Sequence, residues 1–325
     1  MTEQMAATDR EITALKQRVD RVVEYLNTVI LGKPEVIKQV VIALLSKGHL
    51  LIEDVPGVGK TTLARSLADI LDCLFQRISF TSDMMPSDIL GVSVYRRDNS
   101  EFSFQEGPIF TNILLADELN RTTPKTQSAF LEAMESGQVT VDKQTHSLPE
   151  PFLVMATQNP LEFSGTFPLP VSQLDRFFMR ISIGYPSQEF EEKILVQYRG
   201  VDSQVKARET IPLDEVLRWQ RCVPRIRIDS SLVTYITGLT LKTRNRRDIQ
   251  LGVSPRAALG LQRAAQARAL LEGRDFVTPD DIQEMAVPVW AHRIIMANQA
   301  GVGTQACEQA GEAIEGILSE TPVPI

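Results

Sequence analysis

The spacing of apolar residues divides the chain into a mixed segment and a helical segment. Between residues 49 and 183, short apolar runs of strand length alternate with stretches of helical periodicity. Strands that alternate with helices in this way are typical of a parallel sheet with helices on its faces. From residue 186 onward the pattern is almost wholly helical, with helices predicted over 189–198, 213–223, 230–244, 254–271 and 278–297.

This pattern predicts an α/β fold, in which a parallel five-stranded sheet flanked by helices is followed by a smaller all-α lid domain. We expect the α/β core over residues 29–185 and the lid over residues 186–325. Residues 306–325 are small and polar, with proline near the end, so we expect them to form a loose C-terminal tail.

Residues 1–28 precede the core and carry a helical pattern of their own. Such a pattern is typical of a helix that packs on its own domain, and it also fits a short coiled-coil seam. Apolar residues recur at intervals of three and four, at Ile12, Leu15, Val19, Val22, Val23, Leu26 and Val29.

Two alternating segments within the core indicate β-hairpins. Residues 92–104 alternate around a turn at Asp98-Asn99-Ser100, and residues 138–148 alternate more weakly. We therefore expect two hairpins outside the parallel sheet.

The first chemical motif lies where the strand at 49–52 leads into a glycine-rich turn and then into a helix predicted over 61–71. This order is the phosphate-binding P-loop arrangement. Glycine lets the backbone turn its N–H groups toward phosphate oxygens, lysine reaches the β- and γ-phosphates, and a threonine hydroxyl ligates Mg²⁺. The predicted cofactor-binding residues are Pro56, Gly57, Val58, Gly59, Lys60, Thr61 and Thr62, with Thr61 also a metal ligand.

The loop departs from the usual pattern at one position, where Asp54 stands in place of glycine. Because an acid near a phosphate is unfavourable, we expect Asp54 to point away, at the end of the strand. A Gly-Lys-Thr turn also occurs by chance, but the flanking strand and helix favour the P-loop interpretation.

An apolar turn precedes the P-loop strand. Ile30, Leu31 and Gly32 are candidates for a pocket that holds the adenine base, with ordinary core packing as the alternative.

The second motif is a pair of adjacent acids, Asp117 and Glu118, at the end of a buried apolar strand predicted over residues 113–118. Ligands bind at the carboxyl ends of the strands in parallel sheets. There Asp117 suits a metal and cofactor ligand, and Glu118 suits the general base that orients an attacking water.

Two further polar residues stand at informative places. Asn159 ends another buried strand beside the acidic one, where it either holds the water or the γ-phosphate or initiates a turn before proline. Arg256 follows a predicted N-cap at Ser254 and a proline at 255. A cation at a helix N-terminus opposes the macrodipole, so an anionic partner explains it better than a solvated surface position.

Composition and charge limit the class of protein. The chain has 34 Lys and Arg against 41 Asp and Glu, a formal charge of −7, which argues against broad binding to nucleic acid or anionic lipid. Cys73, Cys222 and Cys307 are widely spaced, so we expect reduced thiols without a disulfide framework or zinc site. The polar N-terminus and the lack of long apolar runs lead us to expect a cytoplasmic protein with no membrane insertion.

Taken together, the motifs make the chain resemble the AAA+ ATPases, and within them the MoxR family, over roughly residues 25–300. The stretches that carry the resemblance are Gly107-Pro-Ile-Phe110, Leu115-Ala-Asp-Glu-Leu-Asn-Arg121 continuing to Thr140, Ala156-Thr-Gln-Asn-Pro160, Gln173-Leu-Asp-Arg-Phe177 and Gly252-Val-Ser-Pro-Arg-Ala257.

The resemblance implies a role for each motif residue. Lys60 and Thr61 belong to Walker A and Asp117 and Glu118 to Walker B, while Asn159 resembles sensor 1. The cofactors so implied are ATP or ADP and Mg²⁺, and the implied activity is ATP hydrolysis.

The resemblance also implies three arginine roles. Arg256 resembles sensor 2, which reaches from the lid to help neutralise the phosphates of its own subunit's nucleotide. Arg176 resembles the arginine finger, which acts on the nucleotide of a neighbour, and Arg121 is a weaker candidate for facing a neighbour. The two hairpins match the helix-2 and pre-sensor-1 inserts of the clade that contains this family.

Such proteins are implied to work as hexameric rings that remodel or mature partner proteins in a chaperone-like way. Their partners commonly carry von Willebrand factor A domains, and their work includes metal-cofactor insertion and complex assembly. One alternative is a related DNA helicase or translocase, against which the acidic balance counts. A non-hydrolysing ATP-binding scaffold would lack Glu118 or Arg176, and both are present; a GTPase would carry an Asn-Lys-x-Asp motif, which does not occur.

Overall fold

The structure of the chain is a computed structural model that describes residues 9–98, 100–158, 165–197, 207, 209–297 and 304–324. Its strands are β1 (Leu50–Glu53), β2 (Phe75–Ser79), β3 (Gly91–Arg96), β4 (Glu101–Glu106), β5 (Ile113–Asp117), β6 (Gln138–Val141), β7 (Gln144–Ser147), β8 (Leu153–Gln158), β9 (Met179–Ile181), β10 (Ile249–Leu251) and β11 (Ile295–Met296).

The helix predicted over 278–297 is wrong at its end, because it stops at Trp290 and residues Ile295–Met296 form a strand. The helices otherwise include those that the sequence pattern predicts, with small shifts at their ends, together with a C-terminal helix that it does not predict. They are α1 (Asp9–Val29), α2 (Pro34–Leu45), α3 (Lys60–Ile70), α4 (Pro86–Leu90), α5 (Pro124–Ser136), α6 (Val171–Leu174), α7 (Gln188–Gln197), α8 (Leu213–Cys222), α9 (Ser230–Asn245), α10 (Pro255–Leu271), α11 (Pro279–Trp290) and α12 (Thr304–Ser319).

A five-stranded sheet in the order β2-β5-β8-β1-β9 forms the centre of the core, and all its neighbouring strands run parallel. Leu50 and Ile52 of β1 belong to one apolar cluster and Leu51 to another, so both faces of the sheet are covered. Strands buried on both faces need continuous apolar runs. This is the pattern that predicted them, and the predicted α/β class is confirmed.

Because the strands are parallel, all of them begin on one side of the sheet and end on the other. We call the side where they begin the amino edge and the side where they end the carboxyl edge. The carboxyl edge carries the segments that follow β1, β5 and β8. The amino edge carries the segments that precede β1, β8 and β9, which include His49, Phe152 and Phe178. A group on one edge is separated from the other edge by the length of the strands.

The second half of the chain is helical, apart from the short antiparallel pair β10–β11. Trp219 and Trp290 are buried within it, and the Trp290 indole donates a hydrogen bond to the Ala257 carbonyl at 3.0 Å. Helix α1 packs against α2 and α3 of the core and also against α10 of the lid. No helix in the described part of the chain is long and apolar enough to cross a membrane.

The predicted hairpins are β3–β4 and β6–β7. The Phe104 ring of the first stacks on the His146 ring of the second, with centroids 4.0 Å apart. This contact joins the two hairpins. Asn99 of the predicted turn lies outside the described residues.

The prediction of a loose C-terminal tail is wrong for residues 306–319. Residues Thr304–Ser319 form α12, which packs against α9, α11 and β11. Its buried residues recur with helical spacing, at Cys307, Ala310, Ala313, Ile314 and Ile317. Alanines on this face let the helix approach its neighbours closely, and their weak apolar signal explains the error.

Candidate active site

The P-loop wraps around the N-terminus of α3. Gly57 and Gly59 have φ angles of +86° and +97°, in the left-handed region that favours glycine, and α3 begins at Lys60 immediately afterward. The first N–H groups of a helix lack partners within the helix and carry the positive end of its dipole. The loop and helix together therefore form a site for phosphate.

A cavity of about 360 Å³ at the carboxyl edge brings the two motifs together. Lys60 and Thr61 from the P-loop share this cavity with Asp117 and Glu118 from the end of β5. Its lining residues are Pro56, Gly57, Gly59, Lys60, Thr61, Thr62, Arg77, Asp117, Glu118 and Thr157.

The Lys60 side chain lines this cavity, and its ammonium group is held by the start of the P-loop. Its Nζ donates a hydrogen bond to the Asp54 carbonyl at 2.9 Å. Burial lowers the pKa of Lys60 below its usual value, while the carboxylates of Asp54, Asp117 and Glu118 oppose the shift. A bound phosphate would supply a stronger partner for this charge than the carbonyl does.

The prediction that Asp54 points away from the phosphates is confirmed. Its carboxylate accepts hydrogen bonds from the backbone N–H groups of Ile183 at 2.5 Å and Gly184 at 2.9 Å. Asp54 therefore ties the start of the P-loop to the segment that leaves β9 toward the lid. The acid that looked out of place in the motif has backbone donors for partners.

The two acids at the end of β5, Asp117 and Glu118, are linked by Thr157, which sequence reasoning missed. The Thr157 hydroxyl donates to Asp117 Oδ1 at 2.6 Å and accepts from the backbone N–H of Glu118 at 2.9 Å. Glu118 has φ of +58°, a left-handed conformation that is uncommon for a residue with a side chain. The sequence signal that could have identified Thr157 was its position near the end of β8, the strand that lies beside β5 in the sheet.

Each acid also has an arginine partner within the chain. Arg77 on the edge strand β2 donates to Asp117 Oδ2 through Nε at 3.2 Å and Nη2 at 2.5 Å. Arg121 Nε lies 3.1 Å from Glu118 Oε2. Sequence reasoning missed Arg77 altogether. For Arg121 the structure gives a partner in its own chain, and contact with a neighbour stays a prediction.

A second cavity, of about 380 Å³, adjoins the first and shares Gly57, Gly59 and Thr62 with it. It is lined by Ile30, Leu31 and Val58 together with residues after β9 such as Tyr185. This apolar position beside the phosphate site suits a nucleotide base. Gly32 is not among the lining residues. Its φ is +75°, and a side chain there would meet the Phe190 ring.

Asn159, the predicted sensor 1 residue, lies outside the described residues. The structure therefore describes the site up to Gln158, the last residue of β8.

Arg176 and Arg256 lie at the amino edge of the sheet, on the side opposite the P-loop. Both contact the carboxylate of Glu135, at the end of α5. The end of α5 is placed there by His49, whose Nε2 lies 3.0 Å from the Met134 carbonyl, and Arg176 comes just before β9. The expectation that Arg256 reaches the nucleotide of its own chain does not fit this position, because the length of the strands separates the amino edge from the P-loop.

The residues present fit a Mg²⁺ ion bound together with a nucleotide. The Thr61 hydroxyl and the Asp117 carboxylate line one cavity beside the phosphate site. Oxygen donors of this kind are the ligands that Mg²⁺ takes, with phosphate oxygens and water completing its shell.

Comparisons with known proteins agree with this architecture. Residues 49–179 match the model of the ATPase family associated with various cellular activities (AAA), and residues 241–314 match an AAA lid domain. The chain is 46% identical over 308 residues to the uncharacterized protein YeaC of Bacillus subtilis (strain 168), covering 94% of each chain.

Two further matches connect the family to named proteins. The chain is 38% identical over 291 residues to Chaperone MoxR1 of Mycobacterium tuberculosis, covering 87% of this chain and 77% of that one. A crystal structure of a protein assigned as an ATPase from Cytophaga hutchinsonii superposes with a TM-score of 0.86 at 35% identity, covering 97% and 98% of the two chains. With its P-loop, acidic pair and lid, the chain belongs to the MoxR family of AAA+ ATPases.

Proposed function

We propose that this chain hydrolyses ATP to ADP and phosphate at the carboxyl edge of its sheet. One observation carries the proposal: Lys60, Thr61, Asp117 and Glu118 line a single cavity at the N-terminus of α3. A site with a phosphate cradle, a metal-ligating pair and a second acid beyond it has the parts that phosphoryl transfer to water requires.

The residues divide the work between binding and water activation. Lys60 and the N–H groups of the loop hold the phosphates, and Thr61 and Asp117 would hold Mg²⁺. When bound, Mg²⁺ would supply positive charge that neutralises the phosphates. Glu118 orients the attacking water and accepts its proton, helped by the amide of Asn159. Thr157 keeps the two acids in a fixed relation.

We further propose that a neighbouring subunit completes the site. Arg176 and Arg256 lie at the edge opposite the P-loop, so neither is positioned for the nucleotide of its own chain. In a hexameric ring, this edge of one subunit would face the carboxyl edge of the next. An arginine supplied in trans is worth about 10³ or more in rate, so hydrolysis should depend on assembly.

The domain boundaries proposed are a helix at 1–28, a nucleotide-binding core at 29–185 and a lid at 186–325. Helix α1 contacts both α3 of the core and α10 of the lid, so it is placed to respond to movement between them.

The ring would act as a chaperone-like remodeller or maturation factor in the cytoplasm. The name of the mycobacterial relative supports this role. We propose that the partners of the ring carry von Willebrand factor A domains. We also propose that its work is metal-cofactor insertion or complex assembly. The joined hairpins β3–β4 and β6–β7 expose Tyr95 and Phe102 on their surface and are candidates for partner contact.

Two variants test hydrolysis. Lys60→Ala should lose ATP binding, because the loop loses its cation, whereas Glu118→Gln should bind ATP and assemble normally but hydrolyse it at least about 100-fold more slowly. Binding is measured with a fluorescent ATP analogue and hydrolysis by phosphate release. Hydrolysis by Glu118→Gln at the wild-type rate would remove Glu118 from the role of base.

The same variant tests the client proposal. Glu118→Gln loaded with ATP should hold its partner longer than the wild type does, because the state that releases the partner is not reached. Affinity capture with Lys60→Ala as the matched control, followed by mass spectrometry, should enrich a von Willebrand factor A domain protein. Capture of nucleic acid instead would favour a DNA motor.

A further inference from the structure

Three arginines converge around two carboxylates at the amino edge of the sheet. Arg176 Nε lies 3.3 Å from Glu135 Oε2, and Arg256 Nη2 contacts the other oxygen, Oε1. Arg293 Nε lies 3.3 Å from Asp175 Oδ1. We call these five residues the arginine cluster. Its members come from α5, from the segment before β9 and from two parts of the lid.

The lid contacts Asp175 and Phe177, the residues immediately before and after Arg176 in the chain. Before it, the Ser254 hydroxyl lies within hydrogen-bonding distance of Asp175, 3.3 Å from Oδ1, and the same hydroxyl caps α10. After it, the Phe177 carbonyl accepts from Arg293 Nη2 and lies 3.1 Å from His292 Nε2. Because Arg256 is in the first turn of α10, both arginines are fastened to one part of the lid.

The members of the cluster differ in how far they can move. The Arg293 side chain is only 4% exposed, whereas those of Arg176 and Arg256 are 28% and 49% exposed. Burial lowers the pKa of Arg293 to about 10, Asp175 opposes the shift, and the nearby charge of Arg256 adds to it. Arg293 therefore acts as a fixed internal support, while the other two guanidinium groups can reach outward.

The charges of the cluster leave it suited to an anion. Its three guanidinium groups outnumber its two carboxylates, which leaves one positive charge in excess. Two guanidinium groups that point to the same place repel each other unless they share a counter-ion. Glu135 is placed as that counter-ion, since each of its oxygens contacts one arginine.

We propose that Glu135 is a positioning residue that joins Arg256 of the lid to Arg176 of the core, so that the two are presented as one unit to the terminal phosphate of the neighbouring subunit's ATP. This inference rests on the proposed shared site. If it holds, the lid of one subunit is mechanically coupled to the nucleotide of the next subunit, because a movement of the lid displaces Arg176 and Arg256 together.

Glu135→Gln tests the proposal, because it keeps the size of the side chain and removes its charge. We expect kcat for ATP hydrolysis to fall about tenfold or more, since small displacements of charged groups have effects of this size. KM for ATP should stay unchanged, because Lys60 and the loop N–H groups that bind ATP before the reaction are not altered by the substitution. Glu132→Gln, an exposed position one turn earlier on α5, is the matched control and should behave as the wild type.

Mixed rings show in which subunit Glu135 acts. Glu135→Gln subunits keep an intact nucleotide site, and Lys60→Ala subunits keep an intact arginine cluster. Mixing the two should therefore raise the rate per Glu135→Gln subunit severalfold, as it should for Arg176→Ala, which serves as the reference for action in trans. Melting temperature and assembly state, measured by light scattering, should match those of Glu132→Gln.

The results that would contradict the role of Glu135 differ from the result that would contradict ATP hydrolysis itself. A wild-type kcat in Glu135→Gln, a raised KM with kcat intact, or no recovery in mixed rings that do recover Arg176→Ala would each overturn the positioning role. If Glu135→Gln fails to assemble, Glu135→Asp, which keeps the charge on a shorter stem, takes its place in both assays, and the same three results would overturn the role. Absence of hydrolysis in the wild type would instead overturn the proposed function.

Discussion

A single hydroxyl group, that of Thr157, connects the two acids of the nucleotide site. It donates to Asp117 and accepts from the backbone N–H of Glu118, whose backbone is in the left-handed conformation. The two acids can therefore take different roles although they are adjacent in sequence. Asp117 is held by Thr157 and Arg77, while Glu118 lies beyond the end of the strand and contacts Arg121.

Thr157→Val removes this hydroxyl while keeping the shape of the side chain. A hydrogen bond to a charged group contributes about 1.5–3 kcal/mol. If most of that loss falls on the transition state, kcat for ATP hydrolysis should drop about tenfold, with ATP binding retained. Steady-state phosphate release and analogue binding measure the two effects.

Thr157→Ser, which keeps the hydroxyl, is the control for this prediction and should retain most of the activity. Equal rates for the valine and serine variants would mean that the link between the acids has no part in hydrolysis.

At the scale of the element, strands buried on both faces and capped helices were the most predictable features. The predicted N-cap of α10 is confirmed, since Ser254 Oγ accepts from the Ala257 N–H at 3.1 Å. Residues on β1 and β5 are apolar up to the acid that ends each strand, and they lie in the sheet as expected. These features depend on neighbours close in sequence, so their signal is local.

Helix α12 shows where local signals fail. Its buried face is built largely from alanine and isoleucine, with charged residues such as Glu312 and Glu315 between them. Alanine contributes little to an apolar pattern, yet it allows close packing of the helix against α11. The tertiary contact, more than the pattern, decides that this segment is ordered.

At the scale of the whole molecule, two buried histidines link stability to pH. His49 uses both ring nitrogens, with Nδ1 accepting from the Val154 N–H at 3.1 Å and Nε2 close to the Met134 carbonyl. Burial lowers the pKa of His49 to about 4. Burial also lowers the pKa of His292 well below its usual value, and the charge of Arg293 adds to the shift.

A histidine whose pKa is lower in the folded state binds fewer protons than it does when unfolded. Its contribution to stability is therefore complete above the unfolded value of about 6.5 and is lost as the pH falls toward the folded value. From His49 alone, the free energy of unfolding should drop by up to about 2 kcal/mol between pH 7 and pH 5. Urea unfolding at the two pH values measures the loss.

His49→Gln is the control for the pH prediction. Glutamine has no titration in this range, so its unfolding free energy should depend less on pH than that of the wild type. Identical pH dependence in the two proteins would contradict a neutral, buried His49 as the cause.

The position of Arg256 also depends on how the lid packs on the core. In its sequence context, it resembles a residue that closes over its own nucleotide. In the folded chain it meets Glu135 and Arg176 at the amino edge, because Ser254 and Arg293 fasten the lid to the segment before β9.

The sequence by itself determined the alternation of strands and helices in the core, the P-loop and the acidic pair at the end of β5. These depend on spacing within a few residues, and the chemistry of phosphate leaves little choice of residue type. Only the tertiary structure decided that Thr157 joins the acids, that Asp54 binds the segment after β9, and that both arginines share Glu135. Contacts between residues distant in the chain leave no periodic pattern, so they depend on how the elements pack.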